Sequence, residues 1–259
     1  MGEHLSGLIL KDAFISYGRK DASVFASTLQ KRMKKDGMYA WFDANDIPAG
    51  VDWQKKIYKG IDEAHNFLFI ISPHSVVSKY CFKELKQAVK RGKRIIPLLC
   101  EKPTDAQLLE THPIVNEINW IDFTDAAHFD ESYDTLRTII TTESDYVLTH
   151  TNILLKALLW EDSDKPNELL LHSAERERAE TWLLKRYSEE VAVCSPSHLH
   201  ADYICESIKN AENLQSDVLF YSVTTDSLRD QIRRALHLES ITTWRLGVDT
   251  VSDTDRHDA

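Results

Sequence analysis

The sequence predicts an α/β domain over residues 10–143, a mainly α-helical domain over residues 144–248 and a disordered tail over 249–259. Short apolar runs alternate with amphipathic helical patterns in the first part, whereas apolar residues recur at three- and four-residue spacing in the second. The charge divides in the same way. Residues 1–100 hold 17 Lys and Arg against 10 Asp and Glu, which leaves 14 against 31 for the rest of the 259-residue chain. This division indicates two parts with different surfaces and argues against a chain that binds nucleic acid as a whole.

Five strands are expected in the first part, because it holds five short runs of apolar, β-branched and aromatic residues. The run NFLFIIS is apolar at nearly every position, which is typical of a strand that helices cover on both faces. The predicted strands are 13–17, 39–43, 66–72, 94–100 and 118–123.

Amphipathic helices are expected between these strands. In the first of them Leu29 and Met33 lie on one face, and Gly37 follows as a C-terminal cap. Another begins after Ser78, a typical N-cap residue, and ends at Gly92. The predicted helices are 21–37, 53–65, 79–91 and 128–142.

Strand–helix alternation with short connections predicts right-handed crossovers and a parallel sheet between two layers of helices. Ligands of such sheets bind beyond the carboxyl ends of the strands. Three loop segments are therefore expected to share one rim: SYGRKD, FDANDIPAG and ISPHS.

The second part shows helical spacing in four segments. Ser195 and Pro196 are expected to be the N-cap and the first residue of the third helix. The four segments are 146–161, 174–187, 196–212 and 226–238.

Several classes of site have no support in the sequence. No glycine-rich phosphate loop or Rossmann fingerprint occurs, which argues against an ATP or dinucleotide cofactor site. His198 and His200 are the one close histidine pair, and we expect both on the surface rather than at a metal. Four cysteines without metal or redox spacing indicate the reduced thiols of a cytosolic protein, and no signal peptide or membrane-spanning run is evident.

Several segments of the first part occur in a familiar order: DAFISYGRKD, WFDANDIPAGVDW, IISPHSVVSKYCFKEL and RIIPLLC. Together they resemble the successive motifs of a Toll/interleukin-1 receptor (TIR) domain of bacterial, cyanobacterial type, over roughly residues 10–140. The resemblance implies a flavodoxin-like fold with a five-stranded parallel sheet. The remaining residues are similar to a helical segment that follows the TIR domain in some bacterial proteins, where it would regulate activity or oligomerisation.

The resemblance leaves two functions open. Some TIR domains are adaptors that assemble receptor complexes, and others hydrolyse NAD+ with release of nicotinamide. The enzymes carry a glutamate on the third helix, four residues after an aromatic residue. This chain has Tyr80-Cys81-Phe82-Lys83-Glu84, with Tyr80 at the position where tryptophan is more usual. The resemblance thus implies that Glu84 is catalytic and that Tyr80 contacts the substrate.

The spacing of Tyr80 and Glu84 suits this chemistry. Residues four apart lie on one face of a helix, so the ring and the carboxylate project together. Cleavage of the nicotinamide–ribose bond passes through an oxocarbenium-like transition state, as in glycoside hydrolysis, and a nearby carboxylate stabilises its positive charge. Nicotinamide leaves as a neutral pyridine, so a general acid is unnecessary.

Other rim residues are expected to bind the rest of NAD+. Tyr17 and Arg19 would meet the ribose and the diphosphate, Asp43 a ribose diol, and Trp53 the nicotinamide or adenine ring. Simpler explanations exist for all four: Tyr17 and Trp53 as packing residues, Arg19 as the partner of Asp21, and Asp43 as a turn residue.

The sequence therefore predicts a cytoplasmic NAD+ glycohydrolase of bacterial anti-phage defence, which forms nicotinamide and ADP-ribose or a cyclic isomer. Loop 44–52 resembles the family's BB loop, which implies self-association through TIR domains and, with it, an upstream sensor partner. We expect no metal, no cofactor besides NAD+ as substrate, no nucleic acid and no membrane partner. The alternative is a non-catalytic TIR scaffold, and Glu84 distinguishes the two functions.

Overall fold

The computed structural model describes residues 10–42, 53–188 and 193–222. Asp43 and loop 44–52 lie outside these residues, as do the predicted helix 226–238 and the predicted tail 249–259. The expectations for those segments stay predictions, and so does the domain division after residue 143.

In the described part of the chain, five parallel strands form one sheet in the order β2-β1-β3-β4-β5. This arrangement confirms the predicted fold class. The strands are β1 Lys11–Ser16, β2 Ala40–Trp41, β3 Ala64–Ile71, β4 Arg94–Leu99 and β5 Ile121–Asp122. The outer strands β2 and β5 are shorter than predicted, because each pairs with one neighbour over two residues only.

The predicted long helices that fall in the described residues are present, with ends shifted by at most about two residues, except that the last of them runs to Ser222 instead of ending at 212. Three further helices of four or five residues, α3, α5 and α6, were not predicted, since segments so short carry no helical periodicity. The helices are α1 Ser23–Lys35, α2 Trp53–Glu63, α3 Pro73–Val77, α4 Lys79–Arg91, α5 Asp105–Leu108, α6 Ile114–Glu117, α7 Phe129–Thr141, α8 Ser144–Asp162, α9 Ser173–Ser188 and α10 His198–Ser222.

Helices cover both faces of the sheet. Alternate residues of β3 point to opposite faces: Leu68 and Ile70 pack among residues of α1 and α7, whereas Phe67 and Phe69 pack among residues of α2 and α4. This double burial accounts for the continuous apolar run in the sequence.

Helices α8, α9 and α10 pack around a core of their own, which includes Leu154, Trp160, Trp182 and Tyr203. Helix α8 also contacts the amino end of the sheet, where the buried ammonium group of Lys93 donates to the carbonyl of Ala64 and to the hydroxyl of Thr151. Among the described residues no helix is both long and apolar enough to cross a membrane.

Two expectations for α10 were wrong. The helix begins at His198, and Ser197, not Ser195, accepts a hydrogen bond from a backbone N–H of its first turn, that of His200. His200 is fully buried rather than on the surface, because its face of α10 packs against His150 of α8 and Trp182 of α9. His198 is exposed, as expected.

Candidate active site

A cleft of about 670 Å³ lies beyond the carboxyl end of β1. Its walls come from the loop after β1, from β2, from the start of α2 and from the α3–α4 corner. The cleft brings together all the predicted site residues that the structure describes: Tyr17, Arg19, Trp53, Tyr80 and Glu84. The remaining predicted residue, Asp43, is outside the described residues.

Glu84 reaches this cleft from the second turn of α4. The helix begins at Lys79 because the Ser78 hydroxyl accepts the Cys81 N–H at 3.4 Å, as predicted for an N-cap. It ends at Gly92, whose φ of 69° suits glycine. The apolar side of α4 packs on the sheet, so that Glu84 is half-buried at the cleft wall.

One carboxylate oxygen of Glu84 accepts a hydrogen bond from the end of β1. The hydroxyl of Ser16, the last residue of β1, donates to Oε2 of Glu84 at 2.6 Å. This distance lies within the ordinary range for a hydrogen bond between a hydroxyl and a carboxylate oxygen. Ser16 was not predicted as a site residue, although it interrupts the apolar run AFISY.

Cys81 lies beside this pair but is not a nucleophile. Its thiol donates to the backbone carbonyl of Tyr17 at 3.4 Å, and this bond links the loop after β1 to α4. Burial raises the pKa of the Cys81 thiol to about 12, and the negative charge of Glu84 adds to the increase. The thiol is therefore protonated near neutral pH.

The aromatic side chains of the cleft differ in their exposure. Tyr80 is 62% exposed and meets Trp53 edge to face, with ring centroids 5.2 Å apart. Trp53 is partly buried against the α2–α4 side of the core, so it both packs and lines the cleft. Tyr17 likewise stacks on Phe42 at 5.4 Å while its side chain borders the cleft.

The loop after β1 is anchored to the start of α3. The carboxylate of Asp21 accepts hydrogen bonds from the Ser72 hydroxyl at 2.8 Å and from the His74 N–H at 2.7 Å. Gly18 lies so close that an added Cβ would stand 2.6 Å from Asp21 Oδ1 and 2.8 Å from the Ser75 nitrogen. A side chain at position 18 would therefore displace the segment that carries Tyr17 and Arg19.

Three cationic or titratable side chains join Arg19 at the cleft: Lys20, His74 and Lys79. Nδ1 of His74 is buried and has no hydrogen-bond partner among the described residues. These three residues were not predicted as site residues, although Lys20 and His74 belong to the rim segments SYGRKD and ISPHS. Among the described residues the cleft combines the carboxylate of Glu84 with several cations, which suits a ligand that carries both a cationic and an anionic group.

The cleft also has an apolar floor that the sequence analysis did not identify. Phe14 stacks on Trp41 with ring centroids 4.6 Å apart and an interplanar angle of 9°, and both border the cleft. In the described residues, no three His, Cys, Asp or Glu side chains are grouped so as to hold a metal ion.

Comparison with known proteins points to one family for this region. Residues 13–137 match the family described as TIR domain. The chain is 29% identical over 105 residues to 2′ cyclic ADP-D-ribose synthase BtTIR of Bacteroides thetaiotaomicron. The matched region covers 39% of this chain and 37% of that protein. It is 25% identical over 134 residues to NAD(+) hydrolase tir-1 of Caenorhabditis elegans, and this match covers 44% of this chain and 13% of that protein. The chain thus spans well under half the length of either relative.

Among solved structures, the TIR domain of the Toll-related receptor TRR-2 from Hydra magnipapillata is similar, with 20% identity and a TM-score of 0.43. It covers 50% of this chain and 98% of that one. The TIR domains of the activated Roq1 resistosome have 15% identity and a TM-score of 0.42, and cover 50% and 99%. The family match and the parallel sheet that carries the cleft agree: residues 13–137, just under half of the chain, form a TIR domain.

Proposed function

We propose that this protein cleaves the nicotinamide–ribose bond of NAD+ and that Glu84 is the catalytic residue. The observation that carries the proposal is the half-buried carboxylate of Glu84, held by Ser16 at the wall of a cleft that also presents aromatic rings and cations. The names of two relatives, an NAD(+) hydrolase and a 2′ cyclic ADP-D-ribose synthase, support NAD+ as the substrate.

The chemistry assigns Glu84 to the ribose next to nicotinamide. Positive charge develops on that ribose as the bond to the pyridinium nitrogen breaks and the electron pair leaves with nicotinamide. A preformed carboxylate stabilises this charge more than it stabilises the ground state. Water then adds at the sugar carbon and loses a proton to give ADP-ribose, or an internal hydroxyl adds to give a cyclic isomer.

The remaining cleft residues suit the rest of the dinucleotide. The guanidinium of Arg19 and the ammonium groups of Lys20 and Lys79 match the diphosphate. The exposed ring of Tyr80, supported by Trp53, offers a stacking surface for the nicotinamide or adenine ring. Asp43 and loop 44–52 stay assigned to a ribose diol and to contacts between copies, as the resemblance implies.

In the cell, the proposed reaction would act on cytoplasmic NAD+ during bacterial anti-phage defence. Self-association of the TIR domains would switch it on, under control of an upstream sensor and of the helical region that follows. This role follows from the resemblance to bacterial TIR domains that deplete NAD+.

One observation favours the alternative, a scaffold without catalysis. Apolar side chains around the α3–α4 corner are exposed, Val77 at 39% and Phe82 at 37%, and such a surface suits contacts between TIR domains. Loss of a carboxylate from the cleft should not matter to a scaffold, so Glu84 separates the two functions.

The test is release of nicotinamide from NAD+ by concentrated protein, with product chromatography. Glu84→Ala should lower the release at least about 1,000-fold, because the carboxylate acts only in the transition state. Glu63→Gln is the matched control, since Glu63 is also half-buried but pairs with Lys59 at the far end of α2. Wild-type protein that releases no nicotinamide, crowded or dilute, would support the scaffold instead.

A further inference from the structure

The hydrogen bond between Ser16 of β1 and Glu84 of α4 involves a buried hydroxyl that packing alone does not require. Ser16 is 1% exposed and follows Ala13, Phe14 and Ile15 in a strand covered by helices on both faces. Alternation along the strand places Ser16 on the same face as Phe14, toward α2 and α4. An apolar side chain would pack well on that face, yet residue 16 carries a hydroxyl group.

A buried hydroxyl needs a hydrogen-bond partner, and this one has Glu84 Oε2 at 2.6 Å across 68 positions of sequence. A glutamate side chain has three rotatable bonds, and each hydrogen bond to a half-buried carboxylate narrows the orientations that it samples. The hydroxyl and the carboxylate therefore form a fixed unit built from two different elements of the fold.

We propose that Ser16 is a positioning residue for Glu84. Its hydroxyl holds the carboxylate in one rotamer at the cleft wall, so the ribose meets a group that is already oriented when the nicotinamide bond breaks. This inference rests on the proposed function. It extends that function by assigning part of the rate to a residue that does not itself line the cleft.

The role predicts a particular kinetic signature. Ser16→Ala should lower kcat for nicotinamide release about 10- to 100-fold, the range for a lost hydrogen bond to a charged group. KM should change less than about threefold, because ground-state binding by the cations and rings is untouched. Ser16→Thr, which keeps the hydroxyl on a β-branched side chain suited to a strand, should recover most of the rate.

A second variant covers the case in which the methyl group of threonine does not fit a site this tightly packed. Ser16→Cys offers a weaker donor of similar size, and its kcat should fall between those of Ser16→Ala and wild type. Ser207→Ala is the matched control. Ser207 is also buried, but its hydroxyl donates to the carbonyl of Tyr203 and accepts from the N–H of Leu171, away from the cleft, and we expect unchanged nicotinamide release.

A double-mutant cycle completes the test. If Ser16 acts through the carboxylate, Ser16→Ala should have no further effect on the residual rate of Glu84→Gln. An additive loss in that background would overturn the inference, as would a kcat of Ser16→Ala within twofold of an active wild type. Failure of both Thr and Cys to exceed Ala would overturn it too. An inactive wild type would overturn the proposed function and this inference together.

Discussion

At the carboxyl edge of the sheet Glu84 is half-buried beside a cleft, whereas at the amino edge Lys93 and Asp62 are buried among protein groups. Lys93 donates to the carbonyls of Asp62 and Ala64 at 2.8 and 2.7 Å, and Arg91 donates to the Asp62 carboxylate at 3.0 Å. The polar groups of the amino edge thus bind other parts of the fold.

The difference separates two uses of polar groups near a sheet. At the amino edge, burial lowers the pKa of Lys93 to about 7, although the charge of Asp62 opposes the change. Burial also raises the pKa of Asp62, against the opposing effect of Arg91. Lys93 also donates to the hydroxyl of Thr151, so the cluster joins the α/β region to α8. The carboxylate at the other edge borders open space, and this suits a group that meets a ligand.

The largest expected effect on stability comes from breaking the amino-edge cluster. Lys93→Ala should lower the free energy of unfolding by about 3–5 kcal/mol, because it leaves the buried carbonyls of Asp62 and Ala64 without their donor. Chemical denaturation measures this. Lys90→Ala, on the exposed side of α4, is the control and should change the value by less than about 0.5 kcal/mol.

Glu84→Gln should lower the free energy of unfolding by less than about 1 kcal/mol, while nicotinamide release falls to a low residual rate. A Lys93→Ala protein as stable as wild type would remove the contrast between the two edges.

The next effect is a dependence on pH at the amino edge. Burial lowers the pKa of His200 to about 4, and that of His150 well below its usual range, with the charge of Lys93 acting in the same direction on both. Since the unfolded chain binds these protons near pH 6.5, the stabilisation is present above that pH and is lost as pH falls toward 4. Between pH 7.5 and 5, His200 alone should cost about 2 kcal/mol.

Urea denaturation at both pH values checks this dependence. His200→Gln should reduce the difference between the two values, whereas replacement of the exposed His172 by Gln should leave it unchanged. An equal difference in wild type and His200→Gln would show that the buried histidine does not set the acid sensitivity.

The smallest effect concerns the aromatic residue of the cleft. Tyr80→Ala should lower kcat/KM about tenfold through loss of a stacking surface, and Tyr80→Trp should stay within about threefold of wild type. Tyr39→Ala is the control, since Tyr39 is also exposed but precedes β2, away from the cleft. A Tyr80→Ala enzyme with wild-type kcat/KM would assign the ring to contacts between proteins instead.

Much of the α/β region could be predicted because each long element carries its own period. The continuous apolar run of β3 predicted burial on both faces, and the spacing of Leu29 and Met33 predicted the inner side of α1. Ser78 and Gly92 marked both ends of α4 correctly. The short helices and the burial of His200 could not be predicted, since they depend on neighbours that are distant in sequence.

The amino-acid sequence by itself determined the order of the described strands and helices, the rim segments SYGRKD and ISPHS and the place of Glu84 on α4, because hydrophobic periodicity and capping act over a few residues. Tertiary structure alone decided which groups meet across long separations: Ser16 with Glu84, Asp21 with Ser72, and Lys93 with Thr151. Such pairs form only when the crossovers bring strand ends and helix starts together. A sequence pattern within one segment therefore cannot predict these pairs.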